Sequence, residues 1–488
     1  MHNTGRPCYQ DDRRIEMTAY MGPRRGGKRN FNEDYGNPRD PKEGYPSFLT
    51  EQVFQDYKDA GFTFLIPEGD AFFGTRLTSE GIVEEADFEK SDLYRYFKDA
   101  EKHGLFVYPS SRMLLDKIAR KPGPLTDEEK EIIGGFVTTV KSYFPELCKG
   151  VLLTDEPGIE AAEHIREIVG YIKELVPEMD VFTSMLPMYG CVGSYHLKYD
   201  EEQYKNVPIT LEMREEAYQN YIDTYGQILG EFAYDYYPMH TGSKDYLQPT
   251  FYMNLEMAAK SGLEKGFPIA ITLQAFRMDA NYQPEAGRGD EIYRLPSYED
   301  IRYQVYSALA FGVKRLGYFT FWQHYNESYA EVFPTSMIVY DEAEECGYRK
   351  TSIYYDVQKV NQQIQMFDHV FLRFQWKGCR VVRKSDDENM KYVCGGYEEG
   401  MLKDVSSTRD TLVGCFENPE DGREGYWVVN AHNPYFYEWN EVSVRFEGAT
   451  HIQYYRAGKE YCVELDKDGN FDIRLGVGEG IFVIPYTE

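Results

Sequence analysis

From Thr18 to about Gln323 the chain repeats one phrase: an amphipathic helical stretch, a short turn that often holds Gly, then a run of β-branched or aromatic residues. Helices alternating with buried strands predict parallel sheet. The strand-like runs are Thr18–Pro23, Phe62–Pro67, Leu105–Pro109, Gly150–Thr154, Asp180–Met185, Phe232–Tyr237, Pro268–Leu273 and Leu316–Phe321. Caps support the helices between them. Thr126 precedes a stripe of Ile132, Ile133, Phe136, Val140 and Phe144, and Glu129 stands where it can reach back to the cap amide. Ser91 caps the stretch with Leu93, Tyr96 and Phe97, and Ile165, Ile168, Val169, Ile172 and Leu175 form another inward face.

Pro67, Pro109, Pro157, Pro187 and Pro238 fall at or just past the ends of their runs, where a residue without an N–H suits the end of pairing. Eight such units predict a (β/α)8 TIM barrel over residues 1–370, closed by a helix near Ile353–Phe367. From Phe371 the pattern changes to short alternating strands, at Tyr392–Gly396, Gly425–Asn430, Val442–Phe446, Ile452–Tyr455, Tyr461–Leu465 and Gly480–Pro485. Asp466–Asn470 reads as a hairpin turn. Residues 371–488 are therefore expected to form a C-terminal β-sandwich domain docked rigidly on the barrel.

Composition narrows the function. Lys and Arg total 53 against 81 Asp and Glu, a formal charge of −28, which repels phosphate backbones and anionic lipid, so neither nucleic acid nor membrane is an expected partner. The first twenty residues hold no apolar run of the secretory kind, and the expectation is a cytoplasmic protein. The eight cysteines are scattered without a CxxC pair and read as free, mostly buried thiols. No metal-ligand spacing stands out, and Arg24–Lys28 lacks the spacing of a phosphate-cradling turn, so neither metal nor cofactor is expected. The 43 Tyr suit pockets that need an apolar face and a hydroxyl.

The fourth apolar run ends in Thr154-Asp155-Glu156-Pro157, two carboxylates on the face where barrel active sites are built. An unpaired buried carboxylate is costly, so such a pair is either ion-paired, with Arg112 or Lys149, or functional. Asp235, within Tyr234-Asp235-Tyr236-Tyr237, is a second candidate, although it could equally accept hydrogen bonds that fix its loop. Glu68 suits a sugar hydroxyl better than proton transfer. Trp322, Tyr20, Tyr236 and Tyr237 stand at or near strand ends, where aromatic faces can stack on sugars, with core packing as the alternative, which is preferred for Tyr20. His324 is a candidate contact, and Arg277–Pro296, with Glu285, is expected to be a long functional loop.

Asp155-Glu156-Pro157 resembles the Asn-Glu-Pro motif of clan A glycoside hydrolases, and Ala308–Trp322 is similar to the helix-seven to strand-eight segment of family 42 β-galactosidases. The resemblance implies a barrel glycosidase acting on a carbohydrate, with Glu156 as acid and Trp322 lining a sugar subsite. It also implies a nucleophilic Glu at the end of strand seven, where this chain has Gln274, and an amide cannot fill that role. Three readings stay open. Glu156 acts as acid with Asp235 as base or nucleophile; or Asp155 and Glu156 act as a substrate-assisted N-acetylhexosaminidase pair, helped by Tyr237 and Gln274; or the site binds carbohydrate without turnover. The oligomeric state is open, a homo-oligomer included.

Overall fold

The structure is a computed structural model that describes residues 4–23, 49–67, 73–78, 81–110, 115–189, 210–243, 246–283, 288–323, 332–341 and 343–488. Six strands form one curled parallel sheet: β1 (Glu16–Ala19), β4 (Gly150–Asp155), β5 (Asp180–Met185), β6 (Phe232–Tyr236), β7 (Ile269–Gln274) and β8 (Arg315–Phe319). Their order across the sheet is β1-β8-β7-β6-β5-β4. The other two, β2 (Phe64–Leu65) and β3 (Phe106–Val107), make a separate parallel pair.

Scattered bonds and two isolated bridges, Val107 with Cys148 and Ser110 with Leu152, link the pair to the edges of the large sheet. Thr63 N donates to Met17 O at 2.8 Å, and Val107 N donates to Leu147 O at 3.0 Å. The sequence leads one to expect eight equal strands in a closed barrel; the described residues instead form a parallel half-barrel with a short companion pair. β2 and β3 are two residues long, too short for a ladder to either side.

Helices follow the strands: α1 (Glu51–Asp59), α2 (Asp92–Lys102), α3 (Asp127–Tyr143), α4 (Ala162–Leu175), α5 (Leu211–Leu229), α6 (Phe251–Lys265), α7 (Tyr298–Ala310) and α8 (Ser352–Gln365). The cap of α3 forms as expected, with Thr126 Oγ1 accepting from Glu129 N and Glu129 Oε2 accepting from Thr126 N at 3.0 Å. Ser91 Oγ likewise accepts from Tyr94 N at the start of α2.

Side chains alternate along the strands with period two. Tyr20, Phe64, Ile66, Tyr108, Leu152, Phe182, Ala233 and Ala270 fill the hollow of the sheet. Met17, Leu65, Val151, Phe232, Ile271 and Leu316 point the other way and join the larger core beneath the helices.

Two antiparallel sheets follow from Gln375. One has six strands, Gln375–Val382, Thr411–Glu417, Glu424–Asn430, Gly480–Tyr486, His451–Arg456 and Lys459–Glu464 in that order; the other is Leu402–Ser407, Asn440–Phe446, Asn470–Leu475. They share a core that includes Leu402, Val413, Val428, Val444, Ile452 and Val483. The opposite face of the six-stranded sheet carries Leu412, Phe416, Trp427 and Phe482 into the main core, against Phe367 and Phe371.

The expected strand at Tyr392–Gly396 is absent, since Glu388–Tyr392 is helical and Gly396 makes only an isolated bridge to Arg380. The turn at Asp466–Asn470 forms, with Asp466 Oδ1 accepting from Asn470 N at 2.8 Å. At the other end of the chain, Gly5 N donates to Thr487 O at 2.7 Å and Tyr9 OH to Asp421 at 2.7 Å, so the first residues described lie along these sheets. No helix among the described residues is long and apolar enough to cross a membrane.

Candidate functional site

A bulge decides which way the acids of β4 face. Leu152 pairs with Phe182, then the register slips by one, so that Thr154 pairs with Thr183 and Asp155 with Ser184. Phe182 fills the hollow of the sheet, and by alternation Ser184 faces the same side. The slip therefore aims Asp155 inward and Thr154 outward, where the Thr154 hydroxyl donates to Asp116 at 2.5 Å. Without the slip, plain alternation from Leu152 would turn Asp155 toward the helices.

Glu156 follows at φ +46°, a conformation rare outside glycine and most often found where surrounding bonds hold it. Those bonds are visible. Glu156 N donates to Ser184 O at 2.7 Å, and Arg120 donates to Asp155 O. From α5, Tyr221 OH donates to Pro157 O at 2.7 Å and Tyr225 OH to Gly158 O at 2.5 Å, while Tyr218 OH holds Leu186 O at 3.1 Å. Positions 218, 221 and 225 lie on one helix face, so one row of phenols fixes the exits of both β4 and β5. Glu156 itself is exposed and Asp155 half-buried.

Asp235 comes from β6 with the inward parity of Ala233. It is 6% exposed, and its Oδ1 has no hydrogen-bond partner among the described residues. Burial pushes its carboxyl well above the ordinary range, and the charges of Glu156 and then Asp155 push it further; the Tyr237 hydroxyl, bonded to it, opposes them. Tyr237 N in turn donates to Tyr189 OH at 3.2 Å. The Tyr237 ring sits among Phe276, Phe319 and Tyr293, with centroids 5.0, 5.8 and 6.1 Å away. Burial and the Asp235 charge hold the Tyr189 and Tyr237 phenols protonated. Tyr189 and the α5 tyrosines escaped the sequence reading. The spacing of the α5 tyrosines was available as a signal; nothing local marked Tyr189.

Other candidates lie elsewhere. Gln274 is 0% exposed; its Oε1 accepts from Met239 N at 2.9 Å, and its Nε2 donates to Arg294 O at 2.9 Å and Phe276 O at 3.3 Å. This amide, expected to help hold a substrate, is committed to backbone and ties the β6 and β7 loops together. Trp322, expected to line a sugar subsite, is 1% exposed and packs edge-on to Tyr348 at 5.4 Å, because its strand end continues under the Ile338–Tyr340 strand. Tyr236 faces the helices, its hydroxyl 2.8 Å from Thr250 Oγ1. Tyr20 is buried in the hollow of the sheet, the placement preferred for it.

Glu68, His324, Glu285 and Arg112 lie outside the described residues. Lys149 sits over the Phe106 ring at 4.8 Å. The expected long loop after β7 includes a hairpin, Arg277–Gln283 with Arg288–Tyr293, in which Arg277 pairs in two-pronged fashion with buried Asp279 at 2.7 and 2.9 Å. Of the seven described cysteines three are buried and four exposed, fewer buried than expected. No cluster of metal-ligating side chains occurs among the described residues.

No protein-family model matches the chain, and no curated protein matches it in sequence. In structure it is similar to a protein described as a glycoside hydrolase, with 11% identity, 97% of this chain and 93% of that one covered, and a TM-score of 0.50. It is also similar to a family 5 glycoside hydrolase from Bacteroides vulgatus (11% identity, 97% and 89% covered, TM-score 0.49) and to an Anoxybacillus α-amylase (11%, 97% and 98%, 0.48). At such identity a likeness speaks of fold alone, and only a TM-score that reaches 0.50 carries even that. The likeness is one of fold: in this chain, a curled parallel α/β sheet followed by all-β sheets.

Proposed function

We propose that the chain is a glycoside hydrolase whose proton chemistry rests on Glu156 and Asp235, with Asp155 as the third carboxylate of the group. The observation that carries this reading is the buried Asp235 carboxyl, one oxygen unbonded and its ionisation opposed by burial, by Glu156 and by Asp155. Carboxyl groups with environments that push their proton affinities apart are what acid–base cleavage of a glycoside needs. In the fuller picture β2 and β3 complete an eight-stranded barrel, and the two C-terminal sheets form a β-sandwich. The glycoside hydrolase neighbour and the resemblance of Ala308–Trp322 to family 42 favour a carbohydrate substrate.

Glu156, the exposed member, is the donor to the glycosidic oxygen, and Asp235 is the base or nucleophile. The burial of Asp235 favours a second reading with the roles exchanged: Asp235 keeps the proton and Glu156 is the ionised partner. Leaving groups separate the two, since a dinitrophenolate departs without being protonated and an alkoxide does not. If Glu156 is the acid, Glu156→Gln loses alkyl glycosides and keeps a dinitrophenyl glycoside, while Asp235→Asn loses both; exchanged roles invert the pattern. Wild-type turnover in both variants on both substrates refutes the assignment. Activity confined to 2-acetamido sugars selects the Asp155–Glu156 substrate-assisted route, and saturable binding without turnover selects a carbohydrate-binding protein.

A further inference from the structure

The segment Pro434-Tyr435-Phe436-Tyr437-Glu438-Trp439 places four aromatic side chains within five residues, and all four are exposed: Tyr437 by 60% and Trp439 by 52%. Large apolar rings gathered at a surface mark a binding site more often than scattered ones do. The loop holding them is fixed. Asn433 Oδ1 caps Tyr435 N at 3.0 Å, buried Asn430 donates to Glu438 O at 3.0 Å, and His432 Nε2 lies 3.1 Å from the Glu438 carboxylate. The Arg474 guanidinium backs Trp439, 4.5 Å from its ring centroid. Rings already ordered lose little freedom when a ligand docks.

This loop reaches the face that carries the acids. Tyr435 packs tilted against Tyr246, centroids 4.6 Å apart, an exposed ring from the loop that leaves β6, and Arg294, which follows the hairpin after β7, sits 6.0 Å from the same Tyr435 ring. Tyr246 and Tyr437 both adopt φ near +55° (58° and 55°), unusual for aromatic residues, and Glu156, at 46°, shares the left-handed region. Met239 joins the two regions: its N donates to Gln274, its O accepts from Arg294 N at 3.0 Å, and it lies four residues beyond Asp235.

We propose that Tyr246, Tyr435, Tyr437 and Trp439 form a saccharide-binding platform that takes the continuation of a glycan whose scissile end lies at Glu156 and Asp235. The placement of the scissile end rests on the glycosidase reading; the platform itself does not. Flat, weakly hydrated C–H faces of neutral sugar rings match aromatic faces. The net charge of −28 opposes the other simple occupant, a second copy of the chain.

Trp439 gives the test its signal, because the other three tryptophans, Trp322, Trp376 and Trp427, are at most 8% exposed. Acrylamide quenching of Glu156→Gln protein, measured with cellohexaose, xylohexaose and maltohexaose and with their monosaccharides, reads the platform without turnover. At least one hexasaccharide is expected to shield Trp439 where its monosaccharide does not. Tyr435→Ala and Tyr437→Ala should each weaken that hexasaccharide about tenfold, the scale of one aromatic contact, with the far-UV spectrum kept.

Binding that leaves Trp439 quenching and both tyrosine variants unchanged overturns the platform while the glycosidase reading stands. Failure of all three hexasaccharides to bind overturns it as well, as does sugar-independent shielding that rises with protein concentration. Shielding in a wild-type protein that cleaves nothing supports the platform and removes the glycosidase reading.

Discussion

The two ends of the parallel sheet each gather three carboxylates and handle them in opposite ways. At the end where the strands begin, Arg315 lies 2.6 Å from Glu16, 2.8 Å from Asp180 and 2.6 Å from Glu231, with the faces of Phe64, Tyr108 and Phe182 around its guanidinium. At the end where the strands finish, Asp155, Glu156 and Asp235 converge, and burial with the two neighbouring charges favours a proton on Asp235. A fixed cation offsets the charge of the first group, whereas the second relies on a proton, which can leave. Even beside Arg315, burial and the other two acids push Glu231 up to about 7, which shows how strongly this interior resists charge.

The contrast can be broken first at the finishing end. Glu156→Gln is expected to cut hydrolysis of an alkyl glycoside by roughly 10²- to 10⁴-fold, the range for a general acid or base, with an unchanged circular dichroism spectrum; steady-state rates check it. At the other end, Arg315→Met should destabilise the fold by about 1–3 kcal/mol, because it leaves three half-buried acids without their counter-charge, as read by urea denaturation at neutral pH. The loss should shrink as pH falls. Glu231 holds its proton more tightly folded than unfolded, so its stabilising contribution is complete below the ordinary glutamate range, near 4.5, and disappears as pH rises through about 7.

Asp235→Asn sharpens the comparison. The raised folded pKa of Asp235 means that wild-type stability declines as pH rises past the ordinary aspartate range. An uncharged amide of the same shape should flatten that decline, giving a variant at least as stable as wild type at pH 8 and impaired in turnover; paired denaturation curves at pH 5 and pH 8 decide it. Away from both ends, Thr126→Ala should cost about 1 kcal/mol through its lost cap, visible as a small fall in the denaturation midpoint.

The sequence made the alternating framework legible because apolar runs with period two, helical stripes and side-chain caps are local signals. It also marked Asp155 and Glu156, since charge at the end of an apolar strand is costly wherever the chain folds. Three features were out of reach. The bulge that turns Asp155 inward depends on the register with β5, which no stretch of β4 encodes alone. Gln274 read as an amide where a nucleophile was expected and as a holder of substrate, yet it answers backbone groups that come together only in three dimensions. Arg315 carries no local mark, because its three partners lie 299, 135 and 84 positions away. The exposed rings of 435–439 were visible as letters, but their placement beside the β6 loop depended on how the sheets dock.

That docking has a mechanical outcome. Because Trp427 and Phe482 press on Phe371 while Val428 and Val483 press on the smaller sheet, the six-stranded layer is insulated on both sides and serves as a shared wall between two cores. Heat should therefore melt the molecule in a single calorimetric peak. A polypeptide cut off after residue 370 would lose that wall, leave Tyr306, Phe311 and Phe367 facing solvent, and clump.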